Sequence, residues 1–174
     1  MRKVLLNALL LLAVSASHAG LIFWDGEAGD GQWASVTNWV GDILPGADDD
    51  VVLDNSFVQD AYQVEFPPGN VEVLVNSLRI TPAPGKDILL WLPVSNTAAP
   101  ALRALGPGDA VLLERGAVFR NSSGASSGTP VVVSAIGFFR INNGGRYIHN
   151  TARGHTDMLV NRLSAEPGTE EGIF

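Results

Sequence analysis

The chain has 174 residues, 11 Lys plus Arg against 18 Asp plus Glu, and no cysteine. A net charge of −7 argues against nucleic acid and anionic membrane surfaces as partners, because binding phosphate needs concentrated Lys and Arg. Without cysteine there are no disulfides, thiolate nucleophiles, zinc ribbons or iron–sulfur clusters, so stability must come from burial and backbone pairing. The length fits one domain.

Residues 1–19 read as a secretory signal peptide. Arg2 and Lys3 give the positive start, residues 4–14 are apolar except for Asn7, and Ser17-His18-Ala19 puts small residues where a signal peptidase reads them. Cleavage is expected before Gly20. The apolar run is shorter than the roughly 20 residues a spanning helix needs, and no later segment is apolar enough to span. Removing Arg2 and Lys3 with the leader makes the net charge −9. The expected location is secreted, extracellular or cell-surface.

Residues 20–55 read as a Trp-rich N-terminal cap and first strand. The stretch WDGEAGDGQWASVTNW holds Trp24, Trp33 and Trp39, three of the four tryptophans. Two readings stand side by side. The rings can fold over the end of a β structure, each burying about 150–250 Å², with Asp25 and Asn38 supplying turn hydrogen bonds and Gly26 a left-handed backbone. Alternatively Trp24, Trp33 and Trp39 form a platform for glycan contact, aromatic walls with a few polar groups.

From residue 51 onward, short runs alternate with period two, the signature of strands. Tyr62, Val64 and Phe66 share one face, with Gln63 and Glu65 on the other. Val71, Val73 and Val75 share a face, and Ser77-Leu78-Arg79-Ile80 repeats the pattern. Further strand candidates are residues 51–53, 88–92, 111–113, 131–133 and 158–160. Turn chemistry separates them, as in Pro67-Pro68-Gly69-Asn70 and Asn142-Asn143-Gly144-Gly145. Residues 97–105 read as one helical turn interrupted by Pro100.

A repeat helps to choose the architecture. Residues 111–124 align with 131–144 at an offset of 20, placing Phe119 on Phe139, Arg120 on Arg140 and, one step further, Leu159. A unit of that size cannot bury its own apolar face, but stacked units share a core. The expectation is an all-β fold, a right-handed parallel β-helix with residues 56–174 as its coils, continuing beyond the chain end. A β-sandwich is the alternative, since strands recur at similar intervals there.

Trp24-Asp25-Gly26, Trp33, Asn38-Trp39, Pro45 and the Asp48-Asp49-Asp50-Val51 strand entry resemble the N-terminal motif of large secreted bacterial repeat proteins, autotransporter-like or bearing a C-terminal sorting signal. Asn76-Ser77-Leu78-Arg79-Ile80 is similar to their following strand, and Gly144-Gly145-Arg146-Tyr147-Ile148-His149-Asn150-Thr151 to a turn-and-strand motif. The resemblance implies the start of a right-handed parallel β-helix with a structural, adhesin-like or display role. It implies an extracellular polysaccharide or a host or cell-surface ligand as partner, and no catalytic residues here. An alternative is the front end of a polysaccharide lyase or hydrolase.

Little else points to chemistry. Asp48, Asp49 and Asp50, with Asp54, offer oxygens of the kind calcium takes, but in no recognised calcium spacing. They read more simply as a solvated acidic turn, and no cofactor is expected. Arg120 and Arg140 read as an outward ladder of charge. His149 and His155 lie six apart with Asp157 near, which is not a metal set, and no nucleophile elbow or phosphate loop is present.

Overall fold

The computed structural model describes residues 20–154 and 161–174. The leader, His155, Asp157, Leu159 and the strand expected at 158–160 lie outside these residues. The first strands are β1 (Leu21–Phe23), β2 (Asp50–Asp54), β3 (Tyr62–Glu65), β4 (Val73–Val75), β5 (Ser77–Thr81) and β6 (Ile88–Leu92). They are followed by β7 (Leu102–Ala104), β8 (Gly108–Leu113), β9 (Ala117–Asn121), β10 (Val131–Val133), β11 (Gly137–Ile141) and β12 (Arg146–His149). The strands form three sheets, in the orders β1-β2-β5-β8-β11, β3-β6-β9-β12 and β4-β7-β10. Within these sheets every strand pairs in parallel with the strand one coil away. The fold is therefore an all-β parallel solenoid of roughly four turns, with three faces per coil. The β-sandwich alternative is set aside, because a sandwich needs antiparallel sheets.

Period two explains the inside. Each strand turns alternate residues to the shared core, and register stacks like on like. In the first sheet Val51, Leu78, Val111 and Phe139 form one inward row, and Leu53, Ile80, Leu113 and Ile141 the next. In the second sheet the rows are Tyr62, Ile88, Ala117 and then Val64, Leu90, Phe119, Tyr147. In the third, Val73, Leu102, Val131 lie beside Val75, Ala104, Val133. All but the half-buried Tyr62 are buried, and they make one continuous cluster.

The coil is longer than the repeat read from the sequence. Its length is set by in-register partners such as Tyr62 with Ile88 and Leu78 with Val111. Phe119 therefore does not sit over Phe139 in one row. It pairs with Leu90 and Tyr147, while Phe139 pairs with Val111. The alignment of 111–124 with 131–144 matched two different corners of one coil. β8 to β9 turns from the first sheet to the second, and β10 to β11 from the third to the first, both as strand, tight corner, strand. The two rings still meet across the interior, with centroids 6.4 Å apart. Arg120 and Arg140 accordingly lie on different faces, Arg120 beside Trp91 and Ile148, Arg140 beside Leu112 and bonded to Asp109 at 3.3 Å.

Residues 97–105 are not helical. Ala99-Pro100 is a cis peptide, and Leu102–Ala104 is strand β7. Leu102 and Ala104 are needed to continue the inward rows of the third sheet, so tertiary pairing overrides the local helical preference. Val71 lies outside β4 and is exposed, so only Val73 and Val75 of the expected three enter the core.

The corners are tight where the coil demands it. Between β4 and β5 a single residue, Asn76, turns the chain, and its Nδ2 donates to Asp50 Oδ1 of the preceding coil at 2.7 Å. Before β12, a Cβ on Gly145 would lie 2.6 Å from Leu113 O, so only glycine lets the two coils approach.

Candidate functional site

The N-terminal end is the most elaborated part of the molecule. Unpaired strand edges at a solenoid end invite further pairing. Residues 20–49 lie against two of the three sheets there. β1 forms an extra rung on β2, with Leu21 opposite Asp50 and Phe23 opposite Val52. On β3, Glu65 N donates to Gly31 O at 2.8 Å, and Trp33 N donates to Glu65 O at 2.8 Å. β4, the edge strand of the third sheet, instead flanks a groove of about 520 Å³ lined by Trp33, Leu44, Pro45, Val71 and Leu74.

The three indoles fill the space over the first coil. Trp24, Trp33 and Trp39 are 2%, 3% and 0% exposed. Trp39 lies edge-on to both others, with centroids 4.9 Å from Trp24 and 4.7 Å from Trp33, and its Nε1 donates to Trp33 O at 2.8 Å. Trp33 reaches Phe66, 5.0 Å away, and Trp24 lies parallel to Tyr62 at 6.4 Å. The cap core thus runs without a break into the second sheet. The glycan-contact reading of these residues meets buried rings, since a stacked sugar needs an open ring face.

Asn38, fully buried, ties the loop together. Its Oδ1 accepts from Ala28 N at 2.9 Å, and its Nδ2 donates to Asp30 Oδ1 at 2.7 Å and Gln32 O at 3.0 Å. Its backbone oxygen accepts from Asp25 N and Gly26 N. The side chain thus uses both donors and an acceptor in a dry site, where leaving them unpaired is costly. Gly26 has φ +66°, which a residue with a Cβ adopts only under strain. Asp25 accepts from Glu27 N at 3.3 Å. Asp30 is the acceptor hub, taking Ser35 Oγ at 2.6 Å and Gln32 N at 2.9 Å. The Ser35 hydroxyl first, then Gln32 N–H and Asn38, hold its carboxyl below the usual Asp range.

The acids at the strand entry point apart. Asp49 accepts from Gly20 N at 3.0 Å and Gly46 N at 2.8 Å, whereas Asp50 accepts from Asn76 Nδ2 and from Ser77 Oγ at 2.5 Å. Asp54 bonds Ser56 within its own turn. Among the described residues no three His, Cys, Asp or Glu side chains are grouped to hold a metal ion. His149 Nε2 lies 2.6 Å from Arg153 O.

Two features escaped the sequence reading. The corners after β6, β9 and β12 carry a buried polar ladder: Asn96 Nδ2 donates to Pro67 O and Val71 O, Ser123 Oγ to Asn96 O, and Thr151 Oγ1 to Ser123 O. Beside it Asn121 Nδ2 donates to the Tyr147 hydroxyl at 2.8 Å, and burial pushes that phenol up to about 12. Its signal was the recurrence of Asn-Ser/Thr after an apolar strand, in Asn96-Thr97, Asn121-Ser122 and Asn150-Thr151. The other is the fourth tryptophan, Trp91, half-buried on the outer face of β6.

The fold and its sealed end define the class: a parallel β-solenoid capped at its N-terminal end by a hydrogen-bonded tryptophan cluster. Comparison with protein families, with curated proteins and with solved structures finds no match to this chain.

Proposed function

We propose that this chain is a structural segment of a secreted or cell-surface bacterial protein. It serves as the sealed start of a solenoid stalk that presents its outer faces to polysaccharide or to a host or cell-surface ligand, without catalysis in this region. The observation that carries the reading is the cap. Residues that would otherwise serve ligand contact are used in closing one end, with three buried indoles and Asn38 sealing the first coil. With two of its three edge strands covered, this end disfavours further stacking, and coils template one another through their strand edges in the other direction. The leader pattern of residues 1–19 and the resemblance of the cap motif to secreted repeat proteins support the same reading.

The test is export. The full-length protein is expressed in a bacterium and the cells are fractionated. Recovery at the cell surface or in the medium, with an N-terminus at Gly20, is expected. Retention in the cytoplasm with residues 1–19 intact refutes the proposal.

A further inference from the structure

We propose that the outer face of the second sheet is a binding site for a carboxylated polysaccharide, a polyuronate, centred on Trp91, Arg120 and Arg146. It goes beyond the scaffold reading and uses none of the cap residues.

Trp91 differs from the other three tryptophans. It points outward from β6 while Leu90 and Leu92 on either side are buried, and its ring is half-buried rather than enclosed. Trp39 is locked by a hydrogen bond from its indole N–H, whereas Trp91 Nε1 is buried against the sheet with no acceptor among the described residues, so the exposed part of the ring is carbon. A half-open indole on a sheet face offers an apolar surface for the C–H face of a pyranose ring.

Register places charge beside it. Glu65, Trp91, Arg120 and Ile148 form one outward row on successive coils, and Gln63, Leu89, Val118 and Arg146 the row alongside. Neighbouring strands are about 4.8 Å apart, so Arg120 starts one rung from Trp91. Arg146 lies one rung further and two residues along, about 8 Å from Arg120 by the same spacings. Both arginines are exposed. Neither forms an ion pair with a described residue, although acids outnumber bases in this chain. Lys86, Arg103 and Arg140 do find carboxylates, at 2.9, 2.9 and 3.3 Å. The carboxylate in the Trp91 row, Glu65, lies on the far side of the indole from Arg120 and accepts instead from Gln32 Nε2 at 3.5 Å.

Two unpaired arginines rooted this near each other on one face repel each other and gain from an anion between them. The planar fork of Arg suits a carboxylate. A sugar that carries its own carboxylate satisfies both features at once: ring on Trp91, carboxylate on Arg120, the next along the chain on Arg146. A neutral glycan leaves the arginines unanswered, and a simple anion leaves the indole unused.

The probe is polygalacturonate, cast into a native gel for affinity electrophoresis of the purified protein. Retardation at low salt that weakens as salt rises is expected, with none in dextran. The double variant R120Q/R146Q is expected to lose at least tenfold in affinity. Trp91→Ala is expected to lose at least threefold, with Trp91→Phe recovering most of it. Acrylamide quenching of tryptophan emission, which reaches Trp91 first, is expected to fall when polygalacturonate is added, and this change is expected to vanish in Trp91→Phe. Absence of retardation in the wild type, equal retardation of R120Q/R146Q, or equal retardation in dextran would overturn the site. Tighter binding to dextran sulfate than to polygalacturonate would overturn the uronate assignment. Binding is measured on purified protein, so its failure leaves the export result standing, and failed export leaves the binding result standing.

Discussion

Replacing Trp39 by alanine separates a sealing cap from a surface platform. The ring is fully buried between Trp24 and Trp33, and its N–H donates to Trp33 O at 2.8 Å. Truncating a buried aromatic costs about 3–5 kcal/mol in transfer and cavity terms. The lost hydrogen bond adds about 0.5–1.5 kcal/mol, because the Trp33 carbonyl stays in a dry site. The sum is about 3.5–6.5 kcal/mol, a large fraction of the roughly 5–15 kcal/mol that stabilises a typical domain. The assay is guanidinium unfolding followed by far-UV circular dichroism, with amide exchange to locate the damage. Solenoid coils contact chiefly their neighbours, so fast exchange is expected first at the amides of Trp33 and Glu65, which donate the bonds that join the cap to β3. The control is Trp91→Ala, expected to cost no more than about half as much because that ring is partly exposed on an outer face. A Trp39→Ala cost below about 1 kcal/mol, or equal costs for the two changes, would refute the argument that the indoles seal the coil.

Three further outcomes follow from the same geometry. Asn38→Ala should cost about 2–3 kcal/mol in the same denaturation assay, because Ala28 N and Gln32 O lose their buried partner. The depressed Asp30 carboxyl contributes stability that is present above the ordinary Asp pKa of about 4 and is lost as pH falls through the lower folded value, so Asp30→Asn should flatten the acid limb of a plot of stability against pH. Gly145→Ala forces a Cβ against Leu113 O and Glu114 O, and should lower stability by about 1–3 kcal/mol, read as a lower unfolding midpoint.

The strands were legible because their physics is local. Residues 88–92 and 131–133 are strands with the bounds of the short apolar runs between turn residues. The coil length was not legible in the same way. A corner such as residues 114–116 looks alike wherever it occurs in a coil, so the likeness of 111–124 to 131–144 matched two corners of one turn. Leu102 and Ala104 likewise carry no strand signal of their own, and become strand because Val73, Val75, Val131 and Val133 lie one coil away.

Within the cap, composition announced a cluster but left its orientation open. Three tryptophans among glycine and acid suit either a sealed end or an open platform. The choice depends on long-range partners: Glu65 for the backbone of Trp33, Phe66 for its ring, Tyr62 for Trp24. The same holds on the outer face of the second sheet. Trp91, Arg120 and Arg146 are distant from one another in the chain, and only the register of β6, β9 and β12 brings them together. The sequence by itself determined most of the strands, the inward faces where the runs alternate, the turn chemistry and the absence of disulfides, all properties of composition and neighbouring residues. Only the tertiary structure decided the coil period, the burial of the cap indoles and the juxtaposition of aromatic and cation, because each depends on which distant strand lies alongside.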